Sequence, residues 1–182
     1  MKSNPSLNDP KNLREKALKN LKQGAVTAGY SANLSEVLVS LNQALATELI
    51  CVLRYRTHHF MARGFNAKGI AQEFLVHAGE ELGHADLIAA RIVQLGGEPD
   101  FSPEELNTRS HIKFTRATTL IEMIKENLVA ERVAIDSYRN LIQSLGDKDP
   151  TTTRMLQDIL ATEEEHADEL ADWLDDFPNA QR

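Results

Sequence analysis

The chain has 182 residues, 42% hydrophobic and 26% charged, with one cysteine and a formal net charge of −7. This composition excludes a disordered chain, and the lone Cys51 excludes an intrachain disulfide framework and thiolate-rich zinc or iron–sulfur sites. The acidic balance argues against nucleic-acid binding by the whole surface, no run approaches about 18 apolar residues, and the polar N-terminus lacks an apolar leader, so a cytoplasmic location without a membrane partner is expected.

The charge is unevenly spread. Residues 1–34 hold six basic side chains (Lys2, Lys11, Arg14, Lys16, Lys19, Lys22) against Asp9 and Glu15, a balance of +4 that leaves −11 for the rest. Residues 1–31 read as a basic arm: either an ordinary amphipathic helix or, displayed on an oligomer, a weak DNA-phosphate contact. Four long helical patterns follow, near 32–63, 67–95, 116–145 and 150–176. Gly64-Phe65-Asn66 and Gly146-Asp147-Lys148-Asp149-Pro150 separate the first and last pairs, so each pair predicts an antiparallel hairpin. The connection 96–115 is long, and Ser102-Pro103-Glu104-Glu105 predicts a short helix within it. A helix of 28 residues is about 42 Å long, which a crossover of this length can span. The expected fold is all-α: a four-helix bundle over residues 32–177 with one long crossover, followed by a tail, 178–182.

The two hairpins resemble each other. Glu48 precedes Tyr55-Arg56 at the offset by which Glu131 precedes Tyr138-Arg139. Glu81-Leu82-Gly83-His84-Ala85-Asp86 and Glu163-Glu164-Glu165-His166-Ala167-Asp168 share the pattern Glu-x-x-His-Ala-Asp. A duplicated unit with pseudo-two-fold symmetry accounts for this. At about 100° per residue each helix has an apolar stripe with these residues at its middle. Glu48 lies among Leu34, Leu41, Leu45, Val52 and Tyr55, and Glu131 among Ile124, Leu128, Ile135, Tyr138 and Ile142. Glu81 and His84 lie between Phe74 and Ile88, and Glu163 and His166 between Ile159 and Leu170. No Lys or Arg shares the stripes. Four unpaired buried carboxylates are costly, so they must hold protons or cations, and two divalent ions balance four carboxylates. Oxygen and imidazole donors suit iron or manganese better than structural zinc.

With these motifs the chain resembles ferritin-like di-iron proteins, bacterioferritin and the Dps-type mini-ferritins most of all, over about residues 32–176. The resemblance implies a ferroxidase and iron-storage protein that oxidises Fe(II) with O2 or H2O2 and protects against oxidative stress. It implies Glu81 and Glu163 as bridging carboxylates, Glu48 with His84 on one iron, and Glu131 with His166 on the other; Mn or Zn could substitute. Tyr55 matches a tyrosine near the bacterioferritin site, as a hydrogen-bond donor to a ligand, an electron donor or a packed core residue; Tyr138 is its symmetric partner. Leu82 stands where the haem-ligating methionine would be, so haem is not expected. The chain stops five residues after Phe177, short of the fifth helix of 24-subunit cages, so twelve subunits are favoured. Rubrerythrin-like peroxidase, manganese catalase and a Dps-type DNA-protecting protein are the alternatives.

Outward residues Val39, Ala46, Ile50, Leu53 and Met61 of the first helix and Val76, Gly79, Gly83, Leu87 and Ala90 of the second predict a symmetric dimer within a cage. The fourth helix carries Glu164, Glu165, Asp168, Asp172, Asp175 and Asp176 outward, as a solvated face or a mineral-nucleating lining. His77 reads as a core histidine or a transient iron site, and Cys51 as a core residue or a redox group. His59 lies too far from Glu48 to share a metal with it, and His58 and His111 carry no signal.

Overall fold

A computed structural model describes residues 9–19, 21–64 and 67–177. Among them all regular structure is helical: α1 (Pro10–Ala17), a 3-10 turn (Leu21–Gln23), α2 (Leu34–Met61), α3 (Ala67–Gln94), α4 (Leu106–Arg109), α5 (Leu120–Leu145) and α6 (Pro150–Asp175). Helix α2 packs along α3 and α5 along α6, with α2 also meeting α5 and α3 meeting α6. This is a four-helix bundle of two hairpins joined by a long crossover. Residues 1–8 of the basic arm, Phe65-Asn66 of the first breaker and the tail 178–182 lie outside the described residues.

Local chemistry sets the helix ends. Asn33 caps α2 by accepting from the Glu36 N–H. Helix α5 starts at Leu120, four residues later than the pattern suggested, because Thr119 and Glu122 form a reciprocal capping box. Asp149 caps α6, with Pro150 in the first turn. Helix α3 ends where Gly96 turns to φ 83° and the Gly97 N–H bonds back to the Ile92 carbonyl at 2.9 Å. A Cβ on Gly97 would lie 2.5 Å from Leu38 Cδ2, so a side chain here would displace the Leu38 tip where this turn approaches α2.

The crossover differs from expectation. The short helix begins at Leu106, not at Ser102-Pro103, and has four residues. Ser102 donates its hydroxyl to Glu104 at 2.6 Å instead of capping a helix. The segment then straps across the outer face of α2. The Thr47 hydroxyl meets His111 Nδ1 at 3.1 Å, and Arg54 donates to the Lys113 carbonyl at 3.0 Å and to the Glu126 carbonyl. Ala46 and Ile50, expected to face outward, are buried under this strap, whereas Val39, Leu53 and Met61 remain exposed. Arg54 and Arg91 are also buried, so the bundle does take in two guanidinium groups, each in its own polar pairing. Helix α2 is long and apolar enough by composition to cross a bilayer, with a window of mean hydropathy 1.5, but half of that window is buried inside the bundle.

The core has two apolar halves. One holds Leu41, Leu45, Ile88, Ile92, Tyr138, Leu156 and Ile159. The other holds Cys51, Tyr55, Phe74, Met123, Ile124 and Leu170. The charged groups sit between them.

Candidate metal centre

Helical periodicity places one glutamate of each long helix inward at the level where the apolar halves meet. Glu48, Glu81, Glu131 and Glu163 are all 0% exposed, and His84 and His166 are buried beside them. The six form two groups whose ligand atoms lie within 4.8 Å of one another: Glu48, Glu81, His84 and Glu163, and Glu81, Glu131, Glu163 and His166. Glu81 and Glu163 belong to both groups. His84 Nδ1 lies 3.1 Å from Glu163, 3.3 Å from Glu48 and 3.4 Å from Glu81. His166 Nδ1 lies 3.5 Å from Glu81 and 4.0 Å from Glu131 and Glu163.

The tyrosines cross between the repeats. The Tyr55 hydroxyl of α2 donates to Glu131 of α5, and the Tyr138 hydroxyl of α5 donates to Glu48 of α2. Burial pushes both phenols well above their ordinary range, and the carboxylate each faces pushes the same way, so both remain donors.

Burial and mutual repulsion shape the carboxyl groups. Burial, then the charges of Glu131 and Glu48, push Glu81 well above the usual range. Burial and the Glu163 charge do the same to Glu131. Glu163 is raised to about 8 by burial and by Glu81 and Glu48. Burial also raises Glu48, but hydrogen bonds from His84, Glu81 and Tyr138 outweigh it and hold the group below its ordinary value. Burial opposes charge on His84, yet its bonds to Glu163, Glu48 and Glu81 push it up to about 12. The cluster thus retains protons that a divalent cation would displace. Despite these close approaches, both oxygens of Glu81 and of Glu163, Glu131 Oε2 and His166 Nδ1 are buried without a hydrogen bond of good geometry. Orphaned acceptors at the centre of a bundle fit a pair of hard cations.

Around this cluster lie further polar groups, some marked by their stripe positions and some not. His58, with no signal in the sequence, is fully buried and bonds Asn127 at 2.9 Å. His111 bonds Thr47. His59 is half-buried and bonds the Ala71 carbonyl at 2.6 Å. His77 stacks on His166 with ring centroids 4.1 Å apart and bonds Glu169 at 3.0 Å, while Glu80 bonds His166 Nε2 at 2.8 Å. Cys51 packs in the core, its thiol pushed up by burial and by the Glu81 and Glu131 charges, and therefore protonated. Tyr30, Arg91, Asp149 and Thr152 form a separate polar network at one bundle end. Spacing alone offered no sign of it, because Tyr30 and Asp149 are 119 residues apart.

A crossover four-helix bundle with paired carboxylate–imidazole groups at its centre has the architecture of the ferritin-like proteins. Residues 39–180 match the ferritin-like domain model, and the chain belongs to that family. It is 30% identical over 145 residues to the nutrient stress-induced DNA-binding protein of Synechococcus, covering 77% of this chain and 81% of that protein. It is 29% identical to the bacterioferritin of Mycobacterium avium over 74% of this chain and 81% of that one. Among solved structures, a dodecameric thioferritin, the bacterioferritin-related protein of Bacteroides fragilis, superposes with a TM-score of 0.78 at 31% identity, covering 82% and 90% of the two chains. Dps from Thermosynechococcus elongatus shares the fold, with a TM-score of 0.74 at 19% identity over 77% of this chain and 90% of that one.

Proposed function

We propose that this protein is a ferroxidase and iron-storage protein whose centre takes two Fe(II) ions as substrate within one subunit. The observation that carries the reading is the two-lobed group of four buried carboxylates and two imidazoles with orphaned acceptor atoms. Glu48 and His84 would hold one iron, Glu131 and His166 the other, and Glu81 and Glu163, common to both groups, would bridge. Two Fe(II) ions supply two electrons, enough to take hydrogen peroxide to water or dioxygen to peroxide. The chain's part is electrostatic: four carboxylates would balance the +4 of two Fe(II) ions, and the same anionic shell would stabilise the higher charge of Fe(III). Tyr55 and Tyr138 orient Glu131 and Glu48 through their hydroxyl donors. Exposed Glu165, Asp168 and Asp172 on α6 supply an acidic face for ferric mineral. Consumption of peroxide together with Fe(II) would protect against oxidative stress. Iron is the favoured metal, with Mn or Zn as substitutes, and a twelve-subunit cage is favoured by the dodecameric state named for the Bacteroides fragilis protein.

Replacing both Glu81 and Glu163 by Gln is expected to slow anaerobically loaded Fe(II) oxidation by at least about 100-fold while the helical spectrum is kept. Fe(II) oxidation at the wild-type rate would refute the assignment. Rapid peroxide turnover without added Fe(II) would point instead to a peroxidase or catalase. A second reading, DNA protection, is favoured by the exposed basic residues of α1 (Lys11, Arg14, Lys16) and by the name of the Synechococcus relative.

A further inference from the structure

The two ends of the duplicated bundle are closed differently. In the register set by Glu81 and Glu163, Arg91 of α3 and Trp173 of α6 are equivalent, as are Gln94 and Asp176, and Ile70 and Thr152. At one end the chain supplies its own cation: Arg91 donates to Thr152, Gln94 and Asp149. At the other end an indole stands in place of that guanidinium, and a carboxylate in place of the Gln94 amide.

This second end is electrostatically unbalanced. The last turn of α6 holds no basic residue, and Asp176 at its C-cap adds a carboxylate where the helix macrodipole is already negative. Glu73, near the start of α3, lines the same cleft. Among the described residues neither carboxylate is paired with a cation, and neither belongs to a group of metal-ligating atoms. Lys68 is exposed and is not part of the lining. The cleft has a volume of about 360 Å³, and its other walls are Gly69, Ile70, Trp173 and Phe177. Trp173 is held in place: its indole stacks on His77 with ring centroids 5.8 Å apart and planes 12° apart, and Phe74 meets it at 6.0 Å. The ring is still only half-buried. Gly69 leaves room, since a Cβ there would meet nothing within 4 Å.

We infer that this cleft binds a small organic ammonium ion with a short aliphatic stem. The Trp173 ring attracts a cation through its quadrupole. Glu73 and Asp176 accept its N–H bonds and balance its charge. Ile70 and Phe177 cover the stem, and the volume is that of a small-molecule site. A divalent metal ion is less suited, because two carboxylates supply only part of its coordination shell. The ligand is a free ion, taking the place that Arg91 fills from within the chain at the opposite end. The inference is independent of the metal reading of the central cluster.

Trp173 is the only tryptophan, so its fluorescence reports on the cleft directly. Full-length protein is titrated with n-butylammonium chloride at constant ionic strength, with magnesium chloride and neutral 1-butanol as controls. A saturable change is expected with the amine alone. Glu73→Gln combined with Asp176→Asn, both at exposed positions, should weaken binding by about tenfold or more. Gly69→Leu, which fills the cleft and removes a helix glycine, should abolish it while the helical spectrum is kept. A response that does not saturate, an equal response to magnesium, or wild-type binding in both variants would overturn the site. If the fluorescence changes on dilution of the protein and the amine has no effect, a lysine of another copy fills the cleft, and the assignment of a free ligand fails.

Discussion

Buried polar atoms in this bundle fall into two kinds, those with a partner in the chain and those without. His58 Nδ1 is of the first kind. Its imidazole bonds Asn127 across the α2–α5 contact, and burial, with the nearby Arg54 charge, lowers its pKa to about 4. The unfolded chain takes up a proton on this residue near 6.5. Between the two values the unfolded state binds more protons than the folded one, so stability falls as pH drops from 6.5 toward 4 and is fully present above 6.5. At constant metal content, denaturation midpoints should show this acid limb, and His58→Gln should flatten it; an unaltered limb would place the titration elsewhere. Both oxygens of Glu81 and of Glu163 and Nδ1 of His166 are of the second kind, and these residues belong to the two groups whose ligand atoms lie within 4.8 Å of one another.

Each long helix gains its boundaries from its own caps and its position from its neighbours. The network at the start of α6 links the two levels. Asp149 caps the helix through the Thr152 N–H at 3.0 Å, receives Arg91 of α3 at 2.8 Å and receives the Tyr30 hydroxyl at 3.0 Å. Asp149 is 2% exposed and Arg91 8%, so truncating the carboxylate strands a guanidinium. Asp149→Ala should cost about 3–5 kcal/mol in urea denaturation, and Asp149→Asn, which keeps the cap, clearly less. Equal losses in the two variants would assign the effect to the ion pair with Arg91 and none of it to the cap. The strap over α2 is the other inter-element device. By covering Ala46 and Ile50 it divides the outer face of α2, whereas α3 keeps Val76, Leu82, Leu87 and Val93 exposed along one side. These exposed side chains lie on the side of α3 that the sequence pattern assigned to contact with a second subunit.

At the scale of the molecule, the −7 charge separates into a basic N-terminal arm, an acidic outer face on α6 and a buried carboxylate cluster. In the DNA-protection reading the arm acts only by electrostatics. Removal of residues 1–30 should then abolish retardation of DNA at low salt, and retardation by the full chain should weaken steeply as salt rises. Equal retardation by both proteins would remove the arm from that role. Much of this organisation was legible in the residues themselves. The duplicated Glu and Glu-x-x-His positions have helical spacing, and a helix converts spacing into a face without outside help, so the bundle and its six central groups followed from periodicity. The start of α5, the strap over α2, the Arg91–Asp149 network and the stacked His77–His166 pair did not. Each depends on contacts between segments far apart in sequence, where helix register and the path of the crossover decide which side chains meet. The sequence by itself determined which residues face inward. Only the tertiary structure decided which of them come within 4.8 Å of one another, because that depends on the relative heights of four separate helices, which no single helix encodes.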